Sequence, residues 1–289
     1  MEEPFDRRAV RRHRDRAARR FGEHDFLVRA AAERLADRLG DAGRTFGTAL
    51  VIGAAGGILR EATAPFADTV IEMDLSLRML RRPAVTPGLV ASEELLPFAG
   101  AAFDLVVSAL TLHWANDLPG ALVQIRRSLR ADGLLLASMF GGETLRELRA
   151  AWLAGEAAAI GGASPRISPF VDVRDAGGLL QRTGFARPVA DVEFLDVTYA
   201  TPLKLMQELR GMGETNALRQ RRRTFTTRGS LVATEAAYRA DASNADRRVR
   251  ATFQLLTLTG WAAAPQTQPA GPEAERPPAA GLPRRLRPA

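Results

Sequence analysis

Two short runs in this chain carry residue types suited to holding a nucleoside. Residues 49–52 are apolar and lead into Gly53, Ala54, Ala55, Gly56 and Gly57; residues 69–73, Thr-Val-Ile-Glu-Met, are mostly apolar and lead into Asp74, 21 positions after Gly53. A strand that stops at glycine leaves its last carbonyls and the next helix's first N–H groups facing a crevice, and small residues let a ligand approach that backbone. A carboxylate ending the neighbouring strand can accept hydrogen bonds from a ribose diol. The turn lacks the Gly-x-Gly-x-x-Gly spacing of a dinucleotide fingerprint, which argues against a nicotinamide cofactor. The plainer alternative is a tight turn with a solvated Asp at a strand end. A second cluster, His113 and Trp114, follows the strand-like run 103–110, whose centre, Leu105-Val106-Val107, is apolar. It belongs at the carboxyl end of a central strand, where ligands sit in open α/β sheets. His113 is the candidate general base, since an imidazole titrates near neutrality; its plainer role is that of a buried structural histidine.

The elements that must position these residues follow from periodicity. Leu27, Ala31, Leu35 and Leu39, stopped by Gly40, predict a helix over 25–39. The runs 49–52 and 69–73 flank a short helix-compatible segment and make an opening βαβ unit. Ser76 can cap a short helix through Leu80, and 85–91 is a weak third strand. Residues 103–110 form a fourth strand, with Leu105, Val106 and Val107 suited to a central parallel position. A helix over 118–129 and a strand over 134–139 come next. The stretch 143–159 is helical, and 161–170 is a proline-stiffened loop that can shape a substrate entrance. Beyond it lie a helix at 172–183, a strand at 187–199, helices at 202–210 and 229–240, and a last strand at 250–261. The expected class is α/β, a doubly wound, mostly parallel sheet. Its domain spans 25–261, between a basic arm, 1–24, and a Pro-rich tail, 262–289, read as disordered.

Composition narrows the function. The formal charge of +7 is concentrated at the ends: residues 1–20 carry +4, residues 262–289 carry +2, and the stretch between only +1. A near-neutral central stretch argues against nucleic acid as a partner. The absence of cysteine excludes disulfides, thiolate metal sites and cysteine nucleophiles, and fits a reducing cytoplasm. Histidines 13, 24 and 113 are far apart, which argues against a metal site. No run of 18 apolar residues exists, so no transmembrane helix is expected. Residues 5–21 read as a solvated, partly helical arm, the sharper alternative being a lid or partner-docking arm. Arg219, Arg221, Arg222 and Arg223 are a solvated face or a dock for an acidic partner.

The order of elements resembles the class I methyltransferase fold that binds S-adenosylmethionine, a seven-stranded Rossmann-like sheet with helical insertions near the C-terminal half. Glu72-Met73-Asp74-Leu75-Ser76 looks like that family's acidic strand end. Residues 92–98, Ser-Glu-Glu-Leu-Leu-Pro-Phe, followed by 103–108, Phe-Asp-Leu-Val-Val-Ser, resemble its adenine-side loop and fourth strand. The resemblance implies cofactor contacts at Gly53, Ala54, Ala55, Gly57, Asp74, Leu75, Ser92, Glu93 and Ser108. Three departures stand out: Val51 replaces a usual acid, Ala55 a usual glycine, and Ser92 the adenine-side acid. Over nearly the whole folded chain the sequence is also similar to the mitochondrial respiratory complex I assembly factor five family and its bacterial relatives. Leu112-His113-Trp114-Ala115-Asn116-Asp117, Ser164-Pro165-Arg166-Ile167-Ser168-Pro169-Phe170 and Gly211-Met212-Gly213-Glu214-Thr215-Asn216 carry that similarity. It implies modification of a complex I subunit side chain, by arginine hydroxylation or methylation, in the cytoplasm or at the inner face of the membrane. A weaker resemblance, to the malonyl-carrier-protein methyltransferase of biotin synthesis, implies an O-methyltransferase instead. The altered first motif also allows a non-catalytic assembly chaperone.

Overall fold

The unbroken apolar runs become the middle of the sheet. In the computed structural model, which describes residues 3–80, 87–243 and 245–263, β1 (Phe46–Ile52) lies parallel to β2 (Ala67–Asp74) on one side and β4 (Phe103–Ala109) on the other. β3 (Gly88–Val90) continues beyond β2, and β5 (Leu129–Phe140) beyond β4. β7 (Val249–Ala262) inserts antiparallel between β5 and β6 (Phe185–Tyr199), giving the seven-stranded order β3-β2-β1-β4-β5-β7-β6. Side chains alternate between the two faces. Val51, Leu105 and Val107 meet α2 (Phe26–Asp41), α3 (Ile58–Thr63), α6 (Arg146–Ile160), α8 (Pro202–Met212) and α9 (Arg228–Ala242) in one core. Leu50, Ile52 and Val106 meet α5 (Leu118–Ser128) and α7 (Val173–Arg182) in the other. Both faces being covered explains why these strands read as continuous apolar runs.

Two boundaries move for local reasons. β5 starts at Leu129, earlier than its apolar run, because Leu129 pairs with Phe103 before a register irregularity at a turn where Asp132 has φ +58°. α6 starts at Arg146 because Leu145 is left-handed and Thr144 Oγ1 donates to the Gln254 carbonyl. The tail beyond residue 263 and residues 85–86 of the expected third strand lie outside the described residues. No helix among the described residues is long and apolar enough to cross a membrane.

The arm is not solvated. Asp6 caps α1 (Arg7–Ala17) by accepting from the Ala9 N–H, and the helix buries Ala9, Val10, Arg14 and Ala17. Phe5 pairs with Leu218 in an isolated antiparallel bridge and meets Trp114 edge-on at 5.2 Å. The arm thus straps across the carboxyl ends of the central strands. Its buried stripe is alanine, one valine and an arginine, so it does not look apolar in the sequence.

The wall that carries Trp152 depends on a close helix crossing. A Cβ at Gly155 in α6 would lie 2.4 Å from Thr234 Oγ1 and 2.5 Å from its backbone N in α9. Gly155→Ala should therefore destabilise the protein by about 1–3 kcal/mol through overpacking. Thermal unfolding checks this; an unchanged midpoint would mean that α6 and α9 separate freely.

Candidate functional site

The left-handed turn after β1 is tightly determined. Gly53 has φ +88°, donates its N–H to the Met73 carbonyl at 2.8 Å, and has no room for a Cβ, which would meet Thr111 Oγ1 at 2.2 Å. The Ala54 N–H donates to Asp74 Oδ2 at 3.0 Å and the Ser76 N–H to Asp74 Oδ1 at 2.7 Å. Asp74 therefore faces the turn, as the sequence implies. Ala55, standing where a glycine is usual, keeps φ +47°, a conformation that costs a side-chain-bearing residue roughly 1–2 kcal/mol.

The crevice between turn and carboxylate is filled from α1. Arg14 Nη1 lies 3.5 Å from Asp74 Oδ1, and Nη2 donates to Thr111 Oγ1 at 3.2 Å. About two turns away, Arg7 Nη2 is 2.7 Å from Glu93 Oε2 and its Nε 3.1 Å from Glu94. The same side chain donates to Ser92 Oγ and to the Trp114 carbonyl. Burial pushes the Asp74 carboxyl above the usual range, against the pull of Arg14 and the two N–H donors. Burial also opposes ionisation of Glu93, but Arg7 and Arg14 overcome it and hold that carboxyl below its usual range. Burial works against the Arg14 cation too, and is outweighed by Asp74, Glu93 and Glu214. What remains beside Gly53, Ala55 and Asp74 is a cavity of about 40 Å³.

His113 is held away from both cavities described here. Its side chain is 1 % exposed, with Nε2 3.1 Å from Glu214 Oε2, while the Trp114 Nε1–H also donates to Glu214. His113 Nδ1 is buried without a partner among the described residues. Of the other expected residues, Ser108 donates to the Ile52 carbonyl and stays in the sheet. Leu75 packs beside Phe5 and Trp114. Gly57 shapes the turn at φ +93° without lining the crevice.

Glu214 is the residue that sequence reasoning did not single out. α8 ends on Gly213 at φ +87°, and the Glu214 N–H returns to the Leu209 carbonyl, so the next side chain is aimed back over the sheet edge. Glu214 borders the crevice and a second cavity of about 340 Å³ walled by Trp114, Phe140, Trp152 and Phe170. Arg166 also borders this cavity, but its charge is committed to Glu156 and it stacks 4.5 Å over Trp152. The expected entrance loop supplies Arg166, Ile167, Ser168 and Phe170. Arg14, Thr111 and Glu214 were not legible as site residues, because nothing in their periodicity marks an inward-pointing polar group.

A nucleoside fits the donor set here: bare backbone at Gly53, a facing carboxylate at Asp74, and the Ser92–Glu93 segment beyond it. It does not fit the space while Arg14 is seated, because a ligand of that size needs a cavity of several hundred Å³.

Residues 50–137 match the model of a methyltransferase domain. The chain is 39 % identical to mouse arginine-hydroxylase NDUFAF5, mitochondrial, over 89 % of its own length and 77 % of that protein's. It is 35 % identical to the malonyl-[acyl-carrier protein] O-methyltransferase of Halorhodospira halophila, covering 89 % of this chain and 88 % of that one. Among solved structures, the YcgJ protein of Bacillus subtilis superposes with a TM-score of 0.56 at 14 % identity, over 80 % of this chain and 98 % of that one. A putative methyltransferase of Bacillus halodurans gives 0.54, also at 14 % identity, over 79 % and 99 %. At that identity the two structures establish the fold alone, the class I methyltransferase fold.

Removing the guanidinium should leave buried carboxylates uncompensated. Arg14→Met is expected to cost about 3–5 kcal/mol near neutral pH. Glu93, held low when folded, contributes stability above its unfolded pKa that is lost as pH falls through its folded value. The difference between wild type and variant should accordingly be largest near pH 7 and shrink as pH drops into the carboxylate range. Urea unfolding at several pH values reads this; a pH-independent difference would show that packing, not charge, seats α1.

Proposed function

The chain belongs to the methyltransferase-fold family that includes arginine-hydroxylase NDUFAF5 and malonyl-[acyl-carrier protein] O-methyltransferase, and from that membership we propose that it binds S-adenosylmethionine and modifies an arginine side chain of a protein, a respiratory complex I subunit under assembly. Asp74 would hold the ribose hydroxyls, the 53–57 backbone the amino-acid end, and Ser92 with Glu93 the adenine side. Seating the cofactor requires α1 to move, so that Arg14 leaves Asp74 and Arg7 leaves Glu93. Bound there, S-adenosylmethionine supplies an electrophilic methyl group whose transfer depends mainly on alignment.

The observation that carries this reading is Glu214, a carboxylate bordering an aromatic-walled cavity. Aromatic faces and a carboxylate together recognise a planar cation such as a guanidinium. The same carboxylate repels an acidic acyl substrate, which favours arginine over the carrier-bound acid. Glu214, rather than His113, then meets the substrate; His113 and Trp114 hold its two oxygens in place. His113 keeps a base role only through Glu214.

Intact-protein mass of the complex I subunits from a deletion strain and its parent tests the reaction. Loss of one oxygen in the deletion strain indicates hydroxylation and loss of one methylene methylation; identical masses would sink the proposal. Calorimetry tests the site. Asp74→Ala should abolish binding of S-adenosylmethionine. Glu214→Gln should keep binding but lower kcat/KM on the arginine substrate about tenfold or more, the scale of a lost charge-assisted hydrogen bond.

A further inference from the structure

Two basic stretches more than two hundred residues apart in sequence form one groove. Arg8 and Arg12 of α1 line it with Arg219, Arg221, Arg222 and Arg223. Arg219 is tied to Glu3 and Arg221 to Asp6, but Arg8, Arg12, Arg222 and Arg223 are in no ion pair among the described residues. The groove, about 1000 Å³, shares Glu3 with a second hollow of about 570 Å³ whose wall is mainly Pro4, Pro165, Pro169, Phe170 and Leu218, with Arg149 and Gln220 also on it. That hollow shares Ile167 and Phe170 with the aromatic cavity that Glu214 closes. The three concavities are consecutive: cationic, then proline-lined and largely apolar, then an aromatic-walled pocket bordered by the Glu214 carboxylate.

We infer that this track receives an extended polypeptide whose acidic residues lie on one side of the residue inserted beside Glu214. This deepens the proposed function and rests on it for the inserted arginine. A small acid would have no use for the two outer hollows. A lipid surface is the other partner that clustered arginines attract, but it would engage the cationic groove alone and leave the two hollows beyond it unused. The sign change along the track gives the bound chain a direction, because an acid run placed on the far side of the arginine would not reach the cationic groove.

Fluorescence anisotropy of labelled peptides on the full chain tests this. The probes have equal composition, a central arginine, and a glutamate run either before or after it. Glutamates on one side only should tighten binding by about tenfold relative to the other arrangement, a scale reached by several exposed charge pairs acting together. The double variant Arg222→Glu with Arg223→Glu, both near the surface, should erase that preference without changing the unfolding midpoint. A directional preference that persists when the central arginine is replaced by glutamine keeps the track and overturns only the arginine reading. Equal gain from either side, or a gain that survives charge reversal, overturns the inference. So does reversal-sensitive binding to phosphatidylglycerol vesicles with no acid preference among the peptides, which would make the groove a lipid dock.

Discussion

A single guanidinium buried near three carboxylates holds the functional edge of this sheet in its present form. Arg14 is matched to Asp74 at the end of β2, to Glu93 in the turn between β3 and β4, and to Glu214 just past the end of α8. None of these charges is tolerable alone at such depth, so each fixes the others. The apolar grip of α1 is slight, consisting of Ala9, Val10, Ala17 and the flanking Phe5. The charges of Arg7 and Arg14 add to that grip. A ligand that offers hydroxyls to Asp74 competes for the same oxygens as Arg14. On the proposed reading, arm and nucleoside are alternative occupants of one crevice, and the arm would depart on binding there.

Glu214 links that crevice to the larger cavity, and its placement is overdetermined. Gly213 supplies the left-handed turn that ends α8, and Trp114 and His113 both donate or pair to the carboxylate. The preceding turn is pinned as well. A Cβ at Gly211 would fall 2.2 Å from the His24 ring, and His24 Nδ1 in turn meets Glu208 at 3.0 Å. A carboxylate held from several directions acts as a preorganised acceptor, with little reorganisation left when a cation arrives.

The sheet was largely legible in the sequence because burial on both faces writes long apolar runs, as in Leu105–Val107 of β4 and residues 134–137 of β5. Gly53 and Asp74 were legible because a βαβ unit places them at one edge whatever the ligand. The arm was misjudged as solvated for a physical reason. A buried stripe made of alanines and one arginine has the composition of an exposed helix, and only the carboxylates of Asp74, Glu93 and Glu214 make it a buried one. His113 was correctly placed beside the strand end, but the pocket-facing group is the residue it pairs with, one hundred positions later. No local pattern joins them. Ser108 illustrates the opposite error, since its hydroxyl satisfies the Ile52 carbonyl inside the sheet.

The distribution of sign across the edge constrains what can react there. Inside, carboxylates outnumber cations once Arg14 withdraws, so the interior favours a sulfonium and a guanidinium over anions. Yet two cations brought together repel each other and gain little from approaching an exterior that is itself basic at Arg8, Arg12 and Arg223. The conflict disappears if the cationic group to be modified arrives embedded in acidic surroundings. The acids then meet the outer arginines, while the guanidinium is handed to Glu214 through the apolar hollow that separates the two regions. On the track we propose, opposite signs outside and inside, divided by a largely apolar throat, would select for a substrate that carries both charges in sequence and against one that carries only the inner one.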